Sequence, residues 1–303
     1  MCTSGLPVHS LMLTATLDFN VSPAFDLTCQ IPLPMPELAE VSFYARQWEA
    51  GLGREVREVV THPVARIYRD CPAATVTKEL RGRHLDSWQT HGKQMLFGFG
   101  QGRWLSLHLG MSGELRTDPV TDAAPDKHAH LVLVMDEIRL VFSDPRMFGR
   151  VTVDVTSDGG LPLWWRELPP AIHQDAFDAK LLGDFLERHP RTPLKTLLLD
   201  QRCFPGIGNW MADEICWQLR MAPAIPTGEL SQKQIGALHK MIRRIASEAL
   251  RIIGTDWSDP PKSWLFLHRW RDGGLCPRRG CGTPLLRAEL RGRTTCWCPR
   301  CQL

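Results

Sequence analysis

Phe204-Pro205-Gly206-Ile207-Gly208-Asn209 runs directly into Trp210-Met211-Ala212-Asp213-Glu214-Ile215-Cys216-Trp217-Gln218-Leu219. Two glycines around Ile207 let the backbone turn tightly, and the ten residues that follow read as a helix. A glycine turn at a helix start leaves free N–H groups at the positive end of the helix dipole. That is a ready site for an anion, and Asn209 adds a side-chain amide. A lone Gly-x-Gly is equally well explained as an ordinary helix–helix turn, so the rest of the chain has to decide.

Downstream of this turn, residues 231–253 give the clearest helical pattern. Ser231 and Gln234 form a capping box. Ile235, Leu238, Ile242, Ile245, Ala249 and Ile253 recur at helical spacing, and Gly254 is the expected terminating residue. Upstream, a helical stripe begins after Pro36 with Leu38, Val41, Ala45, Trp48 and Leu52, and Gly51 and Gly53 end it. Residues 94–99 and 104–109 flank Gly100-Gln101-Gly102, a hairpin signature. Residues 131–135 and 138–142 flank Asp136-Glu137 as a second hairpin, and residues 150–155 add another strand. A mostly β region with an opening helix therefore precedes a helical region. Asp158-Gly159-Gly160 and Leu168-Pro169-Pro170 bracket the linker between them.

The last thirty residues form a third module. Cys276 and Cys281 are followed by Cys298 and Cys301, two short knuckles that a hairpin would bring together around a tetrahedral zinc. Residues 283–285 and 294–295 suit the two strands of that ribbon. Cys296 alternates with Cys298 along a strand, so a ligand swap stays open. Six arginines and a single acid, Glu289, lie between Cys276 and Cys301. The basic excess is thus local, as a phosphate footprint should be, although the whole chain carries only +3.

The 303 residues are 43% hydrophobic, long and apolar enough for two packed domains. Half of the ten cysteines sit in the tail, which points to metal and away from a secreted disulfide framework. The first residues lack a basic leader, and no apolar run is long enough to span a bilayer, so a cytoplasmic protein is expected. Residues 1–34 hold four prolines, no lysine or arginine, and no clear period. They read as a disordered or non-native extension. The expected division is 1–34, then 35–165 (catalytic β region), 166–269 (helical) and 270–303 (zinc finger).

Three separated segments agree on one family. Met35-Pro36-Glu37-Leu38-Ala39-Glu40-Val41 resembles the N-terminus of formamidopyrimidine-DNA glycosylases. Leu198-Leu199-Asp200-Gln201, with Gly206-Ile207-Gly208-Asn209 and Ala212-Asp213-Glu214, resembles their helix–two-turn–helix motif. Arg293-Thr294-Thr295-Cys296-Trp297-Cys298-Pro299-Arg300-Cys301-Gln302 resembles the end of their zinc finger. His108-Leu109-Gly110-Met111-Ser112-Gly113 and Asp144-Pro145-Arg146-Met147-Phe148-Gly149 match less strictly. The chain is therefore identified as a member of the formamidopyrimidine-DNA glycosylase/endonuclease VIII family.

The resemblance implies an α+β fold: an N-terminal β-sandwich with flanking helices, then a helix–two-turn–helix domain ending in a zinc β-ribbon. The partner it implies is damaged double-stranded DNA, met by a monomer without any membrane, with the damaged base flipped into a pocket. Pro36 would be the nucleophile through its own amine, which at a chain start has a pKa of about 7.7–8.0 against about 10.4 for lysine. Its plain structural alternative is a proline at the first position of a helix. Glu37 would move protons at the sugar with Glu40 in support, although acids also simply favour helix starts. Lys93, His108, Asn209 and Arg293 would contact phosphates. Met111, Arg146 and Phe148 would fill the gap left by the flipped nucleotide, with core packing as the alternative for Met111 and Phe148. One zinc ion is implied on Cys276, Cys281, Cys298 and Cys301.

The implied activity is excision of oxidised bases, purines such as formamidopyrimidine or 8-oxoguanine first, followed by β,δ-elimination at the abasic site. The alternatives are an oxidised-pyrimidine glycosylase of endonuclease VIII type, or a DNA-binding member without catalysis. Three departures stand out. Ala39 replaces a second proline, the first knuckle has four spacers instead of two, and residues 254–264 are shorter than the loop that covers 8-oxoguanine in members specific for it.

Overall fold

The computed structural model describes residue 1 and residues 35–62, 65–122 and 124–302. The expectation for residues 1–34 falls, apart from Met1, outside the described residues.

The elements follow in chain order. Helix α1 (Leu38–Arg46) leads to strand β1 (Glu58–Thr61), helix α2 (Ala73–Leu80), and strands β2 (Ser87–His91), β3 (Gln94–Gly98), β4 (Arg103–His108), β5 (Glu114–Pro119), β6 (Ala129–Val134), β7 (Ile138–Ser143) and β8 (Arg150–Val155). Helices α3 (Leu163–Arg166), α4 (Ala179–Arg188), α5 (Leu194–Leu198), α6 (Asn209–Gln218) and α7 (Gln232–Asp256) come next. Strands β9 (Leu286–Leu290) and β10 (Arg293–Trp297) close the chain.

The first eight strands form two antiparallel four-stranded sheets, ordered β1-β6-β7-β5 and β2-β3-β4-β8. Both expected hairpins are present, β3–β4 and β6–β7. Alternation sends Met95, Phe97, Leu105 and Leu107 of one sheet and Leu115, Leu131, Leu133, Leu140 and Phe142 of the other into one core, the packing of a β-sandwich. Trp48, fully buried, packs on Phe97 with ring centroids 4.8 Å apart.

A second core belongs to the helices. Leu182 and Leu186 of α4, Leu194 and Leu198 of α5, and Trp210, Met211 and Ile215 of α6 meet Leu238, Ile242, Ile245, Ala249 and Ile253 of α7. Helix α1 serves both cores. Leu38 and Ala39 enter the helical one, while Val41, Ala45 and Trp48 enter the sandwich.

Four local expectations are corrected. Pro36 is not at the first helical position, because Glu37 is the N-cap of α1. Leu52 is 41% exposed and off the α1 stripe, since the chain turns through a short 3-10 segment at Glu49–Gly51. Gly254 does not end α7, which runs to Asp256 and terminates at Trp257 in the left-handed region, φ 60°. A Cβ on Gly254 would sit 3.3 Å from the Ala39 carbonyl oxygen and 3.4 Å from Ser42 Cβ, so this glycine serves the close approach of α1 to α7. In the terminal ribbon, the first strand starts at Leu286, beyond residues 283–285. The linker bracketed by Asp158 and Pro170 contains α3, and α2 was not foreseen. Among the described residues no helix is long and apolar enough to cross a membrane.

Ile242 is fully buried between α6 and α7. Ile242→Ala should lower unfolding free energy by about 2–5 kcal/mol. Denaturant melts would show it, and a loss well under 1 kcal/mol would mean that this core is loosely packed.

Candidate active site

The amides at the start of α6 do hold an anion, and that anion is internal. Glu37 Oε2 accepts the N–H groups of Gly208 at 2.8 Å and Met211 at 3.1 Å, and Oε1 accepts that of Trp210 at 2.8 Å. Three of the N–H groups orphaned at the helix start are thereby satisfied. The anion site read from the glycine turn is thus filled by a carboxylate of the same chain. The glycines are explained by the same contact. A Cβ on Gly208 would lie 2.3 Å from Glu37 Cδ, and Gly206 has φ 94° and its carbonyl oxygen accepts the Leu38 N–H at 3.0 Å.

Glu40 lies one turn along α1. Its carboxylate accepts the Glu37 N–H at 3.1 Å and the Trp210 indole N–H at 3.0 Å. Both carboxyls are essentially buried. Burial first, then the neighbouring Glu37 charge, pushes the Glu40 pKa up to about 8. Burial also raises Glu37, opposed by Lys93 and by the amides of Trp210 and Met211. Both carboxyls are therefore held above their ordinary values, Glu40 far enough to keep its proton near neutral pH.

Lys93 sits in the β2–β3 turn, whose Gly92 approaches Gly206 closely. Burial lowers the Lys93 pKa, while Glu37 pulls it back up and Arg293 lowers it further. Arg293 is exposed at the first position of β10. Asn209 leaves its buried side-chain oxygen without a partner in the described structure. A cavity of about 210 Å³ is lined by Met35, Glu37, Asn209, Arg269, Arg293 and their neighbours. Pro36 is buried between Met35 and Glu37 in the chain.

His108, at the end of β4, accepts the Gly110 N–H on Nδ1 at 3.0 Å, which places the ring proton on Nε2. Burial, aided by Lys93, Arg150 and Arg69, holds its pKa down at about 4, so it is neutral at pH 7. Met111 and Phe148 are 37% and 45% exposed, so neither is a core residue. Their loops are stapled together by Asp144, fully buried, which accepts from Ser112 Oγ at 2.7 Å and the Gly149 N–H at 2.7 Å. The Arg146 guanidinium lies over the Phe148 ring at 5.1 Å.

The four sulfurs of Cys276, Cys281, Cys298 and Cys301 lie within 4.8 Å of one another. Three of the separations, 3.5, 3.6 and 4.0 Å, match the spacing of about 3.8 Å expected around a tetrahedral zinc with 2.3 Å bonds. Cys296 stands outside this group. Its N–H donates to Asp213 at 3.0 Å. The Trp217 indole N–H donates to Cys276 Sγ at 3.3 Å, and Gln302 holds the Cys298 N–H at 2.8 Å.

Sequence reasoning missed Asp213, Lys195, Arg269 and Trp217, all of which tie this ribbon to the helices. One signal was available. Helix α6 is apolar on every side, so an acid within it has to be buried and paired.

Glu40 also sets a pH dependence. A carboxyl with a raised folded pKa keeps a proton that the unfolded chain releases near 4.5, so its stabilisation is lost as pH rises towards 8. His108 has the opposite sign and acts only below about 6.5, where unfolding takes up a proton. Between pH 6.5 and 8 the Glu40 contribution should cost up to ~1.4 kcal/mol per pH unit. Glu40→Gln should flatten that slope in pH-dependent unfolding, although it loses one acceptor. An unchanged slope would assign the proton elsewhere.

The sequence matches two family models, the formamidopyrimidine-DNA glycosylase N-terminal domain over residues 35–151 and the formamidopyrimidine-DNA glycosylase H2TH domain over residues 168–259. It is 36% identical over 284 residues to the formamidopyrimidine-DNA glycosylase of Roseiflexus sp. strain RS-1, covering 88% of this chain and all of that one. It is similar to the Lactococcus lactis formamidopyrimidine-DNA glycosylase bound non-covalently to DNA containing an AP site: 27% identity, TM-score 0.76, 88% of this chain and 99% of the other. A complex of the wild-type Lactococcus lactis enzyme with DNA containing an oxidised pyrimidine gives 28% identity and a TM-score of 0.78, with the same coverage. On this fold and these matches, the chain belongs to the formamidopyrimidine-DNA glycosylase family of DNA-repair enzymes.

Proposed function

We propose that this chain, in a form that begins at Pro36, removes oxidised bases from double-stranded DNA and then cleaves the abasic strand through the amine of Pro36. The observation that carries this reading is the convergence of Glu37, Asn209 and Arg293, from three separate parts of the chain, on one cavity that Met35 also lines, with the charge of Lys93 acting on Glu37 and Arg293. A secondary amine attacks C1′ of the deoxyribose as the C1′–N bond to the base breaks, and the amine proton is given up. The C1′–O4′ bond of the resulting aminal then breaks, O4′ takes a proton, and the opened sugar is left as an iminium. That cation is the electron sink for successive loss of the 3′ and 5′ phosphates. Glu37, adjacent to Pro36 and anchored on α6, moves protons at the sugar, with Glu40 holding the Glu37 backbone. Lys93, His108, Asn209 and Arg293 bind the phosphates on either side of the target. Met111, Arg146 and Phe148 occupy the vacated stack, a role that their exposure on stapled loops supports.

One structural zinc is held by Cys276, Cys281, Cys298 and Cys301 and fixes the hairpin that bears Arg293. The first-choice lesions are oxidised purines. The short stretch between α7 and Trp264 favours oxidised pyrimidines as the second reading, because little chain is available to close over 8-oxoguanine.

Within the 303-residue chain the Pro36 nitrogen is an amide, joined to Met35. Its lone pair is delocalised into the carbonyl and cannot attack a sugar. Borohydride trapping on abasic-site DNA should therefore give a covalent complex with protein that begins at Pro36 and little or none with homogeneous 303-residue protein. No complex from the Pro36 form would sink the enzymatic reading. An efficient cross-link from the long form would make another amine the nucleophile, with Lys93 the first suspect.

Metal analysis should find one zinc per chain. Cys298→Ser should release it and abolish DNA binding, whereas Cys296→Ser should retain it. The reverse pattern would show the ligand set to be wrong.

A further inference from the structure

Asp213 lies one turn beyond the Glu37 site on α6 and has no exposed surface. Three charged or polar partners converge on it. Lys195 Nζ of α5 is 2.6 Å from Oδ1, and Arg269 Nε and Nη2 donate to Oδ2 at 3.2 and 2.5 Å. The third is the backbone N–H of Cys296, donating to Oδ2 at 3.0 Å. Lys195, 1% exposed, also donates to the Thr294 carbonyl oxygen at 2.8 Å. One buried carboxylate and its lysine therefore hold the polar groups of two residues in β10, immediately after Arg293.

Stability alone is a poor reason for such a cluster. Each buried ion costs several kcal/mol of desolvation, and well-packed apolar residues usually do as well. What ions and hydrogen bonds add is direction. Among the described residues strand β10 pairs with β9 alone, so no other described strand fixes its outer edge. Asp213 and Lys195 grip that edge from the helical side. Arg293 itself is exposed and has no ion-pair partner among the salt bridges of the described residues.

We propose that Asp213 and Lys195 are positioning residues that aim Arg293 at the DNA backbone by clamping Thr294 and Cys296. This rests on the reading of Arg293 as a phosphate contact. Through this clamp the helix that seats Glu37 also seats Arg293, so the proton-transfer group and the phosphate contact move as one unit.

The test uses the zinc-loaded 303-residue chain and a duplex containing a tetrahydrofuran abasic analogue. Lys195→Met leaves Asp213 paired with Arg269, so zinc content and cooperative unfolding should persist. Binding should weaken several-fold, and the slope of log K against log salt should fall by about one, as for loss of one phosphate contact. In an Arg293→Ala background Lys195→Met should have no further effect, and Lys195→Arg should restore binding in the native background. Equal weakening by Lys195→Met with and without Arg293 would overturn the clamp. Wild-type binding by Arg293→Ala would instead overturn the phosphate reading on which it rests. Amide exchange in the unaltered chain gives an independent check should Lys195→Met fail to fold. The Cys296 N–H, on the outer edge of the ribbon, should be strongly protected, and rapid exchange there would also refute the clamp.

Discussion

The carboxylate of Glu37 seated in the amide end of α6 is the contact on which the rest of the site depends. It joins the residue next to Pro36 to the helix that packs against α7 and faces the ribbon. Gly208 has no side chain because the carboxylate occupies that space, and Gly206 turns the chain so that three N–H groups point inward. The position of Pro36 is thereby set by the helical region, although its own helix contributes much of its length to the sandwich. An external phosphate meets those amides already engaged. Under the proposed function, phosphate recognition would then fall to side chains around the helix start, Asn209, Lys93 and Arg293, rather than to the helix end itself.

Much of the scaffold is legible from residue pattern. The β3–β4 and β6–β7 hairpins are marked by a two-residue period across short turns, and the α7 start by its capping box. Both signals are local, so one stretch of sequence contains all the physics. The four clustered cysteines are legible because zinc imposes its own spacing. The missed features are nonlocal. Gly254 looks like a helix terminator, but it is required by the approach of α1, over two hundred positions upstream. The apolar residues around Asp213 on α6 signal its burial, but its partners Lys195, Arg269 and Cys296 come from distant parts of the chain. The anion at the α6 amides is nonlocal in the same way, since nothing near the glycine turn announces that Glu37 will fill it.

The charges at this junction obey one requirement. Under the proposed function a site for phosphate has to stay positive, yet proton transfer beside Pro36 needs a carboxylate. Two ionised acids at Glu37 and Glu40 would cancel Lys93 and Arg293. Burial and mutual repulsion keep a proton on the pair, which limits it to one charge. Asp213 meanwhile has both Lys195 and Arg269, one cation more than it can neutralise, and Arg269 lines the same cavity as Glu37. Under the proposed function, a proton retained on the Glu37–Glu40 pair therefore serves the positive field as well as the carboxyl chemistry.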